Sequence, residues 1–212
     1  MRKTKEGSLE TRSKLLASAL DVFGEKAFSA ASLTEISARA GLSKGALYWH
    51  FRNKNDLLLC LLEEICRKGD ETPAAFSTDG LLSGVRQYYM NKYVMLMGNN
   101  DGKKIMKIMM RKDEWPEDVQ SKAKLLIRDT MEREMTMIKR SISEGQKKGS
   151  IRPGVSASVV AVLVSSIFQG LGVLLLEGML PPEFPQCVDV LFGALEKELT
   201  ESITQAPAHQ PV

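Results

Sequence analysis

The sequence predicts an all-α protein, with an N-terminal helix-turn-helix domain of three helices and a C-terminal helical bundle. Two observations lead to this prediction. Apolar residues recur at helical spacing along most of the 212 residues, and no segment alternates convincingly as a half-buried strand does. Near the start, two short helices are separated by a glycine-containing turn of a few residues, the arrangement of a helix-turn-helix.

The first two helices are predicted from spacing and from capping residues. The first spans residues 11–25, where apolar residues recur at helical spacing. Ser32 and Glu35 then form a capping-box signature, in which the hydroxyl accepts from the Glu35 amide while the carboxylate reaches back. The helix that they begin should end near Ala40, and Gly41 should close it in a left-handed turn that a side chain resists.

The third helix has only two turns, and its faces differ. Leu47 and Phe51 share one face, so we expect both in the core. The opposite face carries Gly45, Ala46 and Trp49, and basic residues bracket the whole segment. A small-faced helix with outward aromatic side chains and flanking cations suits insertion into a DNA major groove.

The charge is concentrated at the N-terminal side. Residues 1–54 contain ten Lys or Arg and five Asp or Glu, a net charge of +5, whereas the other 158 residues carry a net charge of −2. This asymmetry indicates that the N-terminal third meets a polyanion. Arg2, Lys3 and Lys5 form a basic arm that either tracks phosphates and enters a minor groove or is a solvated tail.

Residues 9–68 resemble the DNA-binding domain of the TetR/AcrR family of bacterial transcriptional repressors. The matching segments are 33–36, 40–51 and 53–57. The resemblance implies a cytoplasmic homodimer that binds near-palindromic double-stranded operator DNA and senses a small, largely hydrophobic molecule. In the family, the C-terminal domain is too divergent to be matched by motif.

The residues expected at the DNA come from both helices of the helix-turn-helix and from the start of the next helix. Lys44 is expected to donate to guanine O6 and N7 or to phosphate. The resemblance implies that Tyr48, His50 and Lys54 contact phosphates. Three amphipathic aromatic side chains on so short a helix cannot all be buried, which argues against a plain packing cluster. The full predicted set is Ser32, Thr34, Ser43, Lys44, Gly45, Ala46, Tyr48, Trp49, His50 and Lys54.

Further helices are predicted over residues 81–97, 103–112, 116–148, 155–178 and 185–203. We therefore divide the chain into a basic arm and helix-turn-helix domain (1–54), a linking helix (55–68), a ligand-binding and dimerisation domain (69–204) and a disordered tail (205–212).

Nine of the eleven methionines lie between Met90 and Met137, with several aromatic residues beside them. Methionine is flexible and polarizable, so this cluster is either an ordinary core or the lining of a ligand pocket. The resemblance favours the pocket. Its predicted lining is Tyr89, Met90, Tyr93, Met97, Met106, Met109, Met110, Trp115, Met131 and Met135.

The segment 155–178 is apolar around most of its circumference, so it must be covered on more than one side. It is either a central helix of a monomer or, with the segment 185–203, one half of a four-helix dimer interface. The resemblance favours the dimer. The interface residues predicted are Val160, Leu163, Val164, Ile167, Phe168, Leu171, Leu191 and Leu195.

The sequence favours secreted proteins, metalloproteins and enzymes less than a transcriptional regulator. The N-terminus has no apolar signal segment, and Cys60, Cys66 and Cys187 have neither disulfide nor metal spacing, so we expect a cytoplasmic protein without metal or cofactor. A nucleic-acid-modifying enzyme would need an acidic metal-binding set, and the acidic residues of 113–118 flank a Trp-Pro turn. The alternatives kept open are such an enzyme and a helical carrier; the prediction is a ligand-responsive transcriptional regulator with no catalytic residues.

Overall fold

The structure is a computed structural model that describes residues 5–70, 82–179 and 183–200. Within these residues it contains nine α-helices, one short 3-10 helix and no strand, which confirms the all-α class. The predicted arm residues Arg2 and Lys3, and the disordered tail at 205–212, lie outside the described residues. The α-helices are α1 (Lys5–Glu25), α2 (Leu33–Arg39), α3 (Lys44–His50), α4 (Lys54–Asp70), α5 (Ser83–Met97), α6 (Asn100–Met110), α7 (Glu117–Lys147), α8 (Ala157–Leu176) and α9 (Phe184–Thr200), and the 3-10 helix is Lys112–Glu114.

The first helix begins earlier than the sequence pattern predicts. It starts at Lys5 rather than at residue 11, and its extra turn is polar, with the Thr11 hydroxyl donating to the Gly7 carbonyl at 2.7 Å. Apolar periodicity gives no signal for such a turn, because little of it packs against the core. The length of α1 was therefore underestimated.

The turn signals around α2 act as predicted, with one change. The Glu35 amide donates to the Ser32 hydroxyl at 3.1 Å, and Gly41 closes the helix at φ +66°. The Glu35 carboxylate does not complete the capping box as expected; it pairs with Lys26 at 2.7 Å. The amide cap is thus formed by Ser32, while Glu35 links α2 to the turn after α1.

A first core joins the N-terminal helices to α6 and to the start of α7. Phe23 and Leu58 belong to the same buried cluster as Ile108, Trp115 and Val119. Buried packing therefore does not divide at residue 54, where the sequence analysis drew its boundary. Helices α1 to α4 therefore rest on α6 and on the start of α7 through apolar contact.

Polar contacts tie the same two regions together. Lys104 of α6 pairs with Asp21 of α1 at 2.6 Å, and the Asn55 amide donates to both Asp118 carboxylate oxygens at 3.2 Å. Gly24 lies against Lys104 so closely that a Cβ placed on it would fall 2.6 Å from the Lys104 Cβ. The close approach of α1 and α6 thus requires glycine at this position.

A second core is formed by α5, α7, α8 and α9. It contains Tyr88 of α5, Ile138 and Ile142 of α7, Val164 of α8 and Phe192 of α9. The 31-residue α7 contributes its first part to the first core and its later part to the second. This single helix therefore joins the first core to the second.

Helix α8 packs one side inward and leaves an apolar stripe exposed. Val160 and Val164 are buried in the second core, so their assignment to a dimer interface is wrong. Phe168 also faces inward, stacking on the Tyr89 ring with centroids 3.5 Å apart. Among the described helices, α8 alone has the length and hydropathy of a membrane span. The exposed large apolar residues of α8 are Val159, Val162, Leu163, Ile167, Val173 and Leu174.

Candidate nucleic-acid interface

Helix α3 is anchored by its inward face and by its N-cap. The Ala46 amide donates to the Ser43 hydroxyl at 3.1 Å, which satisfies one of the unpaired donors of the first turn. Leu47 and Phe51 are buried, as predicted, and the Arg12 guanidinium lies 5.6 Å from the centroid of the Phe51 ring. The two-turn helix is therefore held in a defined orientation by the first core.

The opposite face of α3 is open. Trp49 is 81% exposed and Tyr48 50% exposed, values far above those of a packed aromatic side chain. Lys44 is also exposed, with its ammonium 5.8 Å from the centre of the Tyr48 ring. The structure thus brings a cation, a phenol and an indole together on one convex surface. Their contact with DNA stays a prediction.

Gly45 has no structural role that requires glycine within the described part of the chain. A Cβ placed there would meet only the Ser43 hydroxyl oxygen, at 3.8 Å, and the backbone is helical without a positive φ. The missing side chain leaves the backbone of α3 accessible beside Lys44 and Trp49. This is the geometry that lets a helix approach base edges closely.

Helix α2 presents two hydroxyl groups at its start. Ser32 is exposed and its oxygen caps Glu35, whereas the exposed Thr34 accepts from the Ser37 hydroxyl through its backbone carbonyl. The Arg39 guanidinium hydrogen-bonds Glu25 at 2.5 Å, and this bond holds the pKa of the Glu25 carboxyl below its usual range. The basic residue of α2 is therefore already paired within the protein.

Lys54 is not placed as the sequence analysis expects. Its ammonium donates to the backbone carbonyls of Phe28, Ser29 and Ala31 at 2.7, 3.3 and 2.9 Å, and it lies 4.5 Å from the centre of the Phe28 ring. Burial lowers the pKa of this ammonium. An ammonium has three N–H donors, and the three carbonyls occupy the donors that a phosphate would need. The side chain ties α4 to the α1–α2 turn, and the prediction that it grips phosphate is wrong for this conformation.

Arg52 is a cation that lies two residues after the end of α3. Its side chain is exposed, while its amide donates to the Asp56 carboxylate at 2.9 Å. The Asn53 side chain caps α4 by accepting from the Asp56 amide at 2.9 Å. In the sequence, Arg52 is one of the basic residues that bracket the third helix, and the pattern alone does not reveal its exposure.

The remaining candidate chemistry is limited. The His50 ring lies 6.2 Å from the Phe51 ring at the end of α3, and the described residues contain no metal-type cluster of His, Cys, Asp and Glu. Burial raises the pKa of the Cys60 thiol, which lowers its thiolate fraction. Cys60 is therefore placed as a packing residue rather than as a reactive thiol.

Two cavities among the described residues test the predicted ligand pocket. One, of about 180 Å³, lies between α5, α7, α8 and α9 and includes Tyr89 and Tyr93. The other is a groove of about 770 Å³ whose lining, including Trp115 and Met131, comes entirely from residues 112–131. Neither is lined by the other six predicted residues: Met90, Met97, Met106, Met109, Met110 and Met135.

The predicted methionine lining is therefore not supported by either cavity. Met97 and Met110 are largely exposed, whereas Met109 packs against the first core. Met90 and Met135 pack against the second core. Several of these methionines are thus packing or surface residues in the described part of the chain, and the methionine-lined pocket stays a prediction.

The sequence of the first domain matches known regulators. Residues 15–61 match the family described as "Bacterial regulatory proteins, tetR family". The HTH-type transcriptional regulator AcrR of Shigella flexneri is 48% identical over 56 residues, which are 26% of each chain. The probable HTH-type transcriptional regulator ArpR of Pseudomonas putida is 30% identical over 122 residues, 56% of this chain and 58% of the relative. The chain thus matches between a quarter and three fifths of the length of these curated relatives.

The fold of the whole chain also has solved counterparts. SmeT, the repressor of the Stenotrophomonas maltophilia multidrug efflux pump SmeDEF, has been solved in complex with triclosan. That complex superposes with a TM-score of 0.70 at 22% identity, covering 96% of this chain and 99% of SmeT. The likeness establishes that both domains have the same architecture.

Proposed function

Because the N-terminal domain of this chain belongs to the TetR family of bacterial regulators, we propose that the protein is a ligand-responsive, DNA-binding transcriptional repressor. It binds a near-palindromic operator as a homodimer and leaves it when a small, largely hydrophobic molecule enters the C-terminal bundle. The observation that carries the proposal is α3 itself, whose inner face is locked in the core while Trp49 and Tyr48 stay exposed.

The operator is read by α3 in the major groove. Lys44 donates to guanine acceptors or to phosphate, and Gly45 lets the helix backbone come close to the base edges. Tyr48, His50 and Arg52 contact the DNA backbone on either side. Ser32 and Thr34 at the start of α2 add contacts to the adjacent phosphates, since helix N-termini favour anions.

Dimerisation uses the exposed stripe of α8. Leu163 and Ile167 are 52% and 41% exposed, and Gly170 of the same helix has no atom within 4 Å of a placed Cβ. Val190 of α9 adds a further exposed apolar side chain, at 73%. An unpaired apolar stripe beside a flat glycine position suits close packing on a second copy, as in a four-helix bundle. Two subunits then present their α3 helices to half-sites about 34 Å apart or more.

Release follows from the contacts between the two cores. Ligand binding in the bundle shifts α7, which carries Asp118 against Asn55 at the start of α4. The ion pair of Lys104 with Asp21 ties α6 to α1 in the same way. A change in the spacing of the two α3 helices removes the fit to successive major grooves. Linkage requires that operator DNA weakens ligand binding by the same factor.

Selection of bound DNA from a random pool, followed by a salt titration of the selected duplex, tests the proposal. We expect a near-palindromic sequence and an affinity that falls steeply with salt. The double variant Lys44→Ala/Trp49→Ala should lose specific binding, while Lys139→Ala, which removes an exposed cation of α7, should retain it. Unselective binding by the wild type would contradict the proposal, and cleavage of the pool with a divalent metal would favour the enzyme instead.

A further inference from the structure

The cavity between α5, α7, α8 and α9 has flat aromatic walls. Tyr89 stacks on Phe168 with ring planes 4° apart, and Tyr93 stacks on Phe184 with centroids 4.3 Å apart. All four rings line the cavity, whose volume is about 180 Å³. An apolar cavity of about 150 Å³ accommodates benzene. The space between the two stacked pairs therefore fits one aromatic ring with a small substituent.

One end of the cavity is polar, and its carboxylate is already satisfied. Glu134 is buried, accepts from the Tyr88 hydroxyl at 2.7 Å and forms an ion pair with Lys92. The carboxylate thus has two donors, one of them cationic, and the pair carries no net charge. Lys92 is 28% exposed at its side chain and has further N–H donors, since an ammonium carries three. The polar end consequently offers donors rather than a free negative charge.

The Tyr89 hydroxyl is the second polar feature of this wall. Tyr89 is 4% exposed, and its hydroxyl lies beside Ser165 and Glu134 without reaching hydrogen-bond geometry with them or with any other described group. Burial, reinforced by the charge of Glu134, raises the pKa of this phenol, so it keeps its proton and remains a donor. A buried donor that is held in poor hydrogen-bond geometry costs free energy of folding, which a ligand oxygen would recover.

We propose that this cavity binds a single-ring aromatic molecule that carries a hydrogen-bond-accepting oxygen, as a phenol or an aromatic carboxylate does. The ring lies between the Tyr89–Phe168 and Tyr93–Phe184 pairs, and the oxygen accepts from Tyr89 and from Lys92. The assignment deepens the proposed function and rests on it for the regulatory consequence. Aromatic cations are disfavoured, because Glu134 already holds a cation and Lys92 would repel a second one.

The groove along residues 112–131 is a poorer candidate for this ligand. Its lining comes from one continuous segment and includes Lys112, Asp113, Lys124 and Arg128, so several charged groups face the same space. The bundle cavity draws its lining from four helices, and its Glu134 carboxylate and Tyr89 hydroxyl are buried. Enclosure by several elements, with a few convergent polar groups, is the usual form of a small-molecule site.

Calorimetric titration of the full chain without DNA tests the assignment with four probes: phenol, benzoate, toluene and benzyltrimethylammonium. Phenol and benzoate should bind at least tenfold more tightly than toluene and the cation. A preference for benzoate assigns the dominant contact to Lys92, and a preference for phenol assigns it to Tyr89. Equal affinity for all four probes, or tightest binding of the cation, would overturn the assignment.

Two variants locate the contacts. Tyr89→Phe should weaken phenol and benzoate about tenfold, leave toluene unchanged, and preserve the thermal midpoint because the lost hydroxyl has no partner in the described protein. Lys92→Met should remove the advantage of benzoate over toluene, whereas Lys139→Met on the exposed face of α7 should not. Lys92→Met also removes the cationic partner of a buried carboxylate, so this variant could unfold. In that case the test of the assignment is the Tyr89→Phe result. Unchanged affinity in Tyr89→Phe would overturn the role given to the hydroxyl.

The outcome is separable from that of the proposed function. Operator binding that is intact, with none of the four probes bound, overturns the ligand assignment and leaves the regulator standing. If the protein binds phenol or benzoate but no operator, the ligand assignment stands and the proposed regulator is overturned.

Discussion

The helix-turn-helix and the C-terminal bundle differ in how far apart in the sequence their hydrogen-bonded polar groups lie. In the first region, Ser32 and Ser43 each satisfy an amide three residues away, so the order of the helices follows from neighbours in the chain. In the bundle, Lys92 pairs with Glu134 and Arg86 with Asp189, residues that are 42 and 103 positions apart. These caps of the helix-turn-helix are thus local, whereas the two ion pairs of the bundle join helices that are far apart in the sequence.

This contrast explains why the structure of the helix-turn-helix is easier to predict from the sequence than the structure of the bundle. A local cap needs a particular side chain at a particular spacing, and it leaves a motif. A long-range pair needs only two compatible side chains somewhere on facing helices, and many combinations serve. The lining of the bundle is therefore less constrained by local motifs than the orientation of α3 on the first core.

The largest effect should come from the buried face of α3. Leu47→Ala removes a fully buried side chain from the first core, and we expect the free energy of unfolding to fall by about 2–5 kcal/mol. Urea denaturation measures it. Trp49→Ala is the matched control on the outer face: stability should change by less than about 0.5 kcal/mol, while operator affinity falls at least tenfold. A larger stability loss in Trp49→Ala than in Leu47→Ala would break the assignment of the two faces.

The buried pair of the bundle should give the next largest effect. Glu134→Ala leaves Lys92 and the Tyr88 hydroxyl without their shared acceptor, and we expect a loss of about 3 kcal/mol, the lower end for a buried pair because Lys92 is partly exposed. Thermal and urea unfolding of the two single variants and of Lys92→Met/Glu134→Ala provide a double-mutant cycle. Additive losses in the cycle would mean that the long-range pair does not specify the bundle.

Two glycine substitutions, one in α3 and one in the turn before it, test how the helix-turn-helix is specified. Gly45→Ala has room for its methyl group and gains helix propensity, so stability should hold or rise by up to about 1 kcal/mol, while operator affinity drops about tenfold. Gly41→Ala is its control, since φ +66° strains any side chain there and should cost about 1 kcal/mol. Both are measured by urea denaturation and duplex titration. Unchanged operator affinity in Gly45→Ala would show that α3 does not approach the groove through this position.

The smallest effect concerns Lys54 and alkaline pH. Burial lowers its pKa in the folded protein, so between that value and the ordinary value of a lysine the unfolded chain binds more protons. The free energy of unfolding should therefore rise slightly with pH in that window. In Lys54→Met this rise should be absent. Urea midpoints of both proteins between pH 8 and pH 10.5 provide the measurement. Parallel pH profiles for the two proteins would contradict the burial of this ammonium.

The sequence alone was sufficient to predict the helical class, the cap Ser32, the turn at Gly41, the burial of Leu47 and Phe51 and the exposure of Trp49. These features depend on backbone geometry and spacing within a few residues, which a pattern records directly. The family resemblance rested on the same segment, and the match over residues 15–61 agrees with it.

Only the tertiary structure decided where the remaining candidates point. Lys54 turns to the carbonyls of the α1–α2 turn, Val160 and Val164 face the second core, and the cavity is walled by aromatic rings instead of methionines. Composition identifies side chains that are able to donate or to pack, but their partners come from helices far apart in the sequence. The two-turn α3 was determined by its own residues, and the bundle that would control it was determined by how its helices meet.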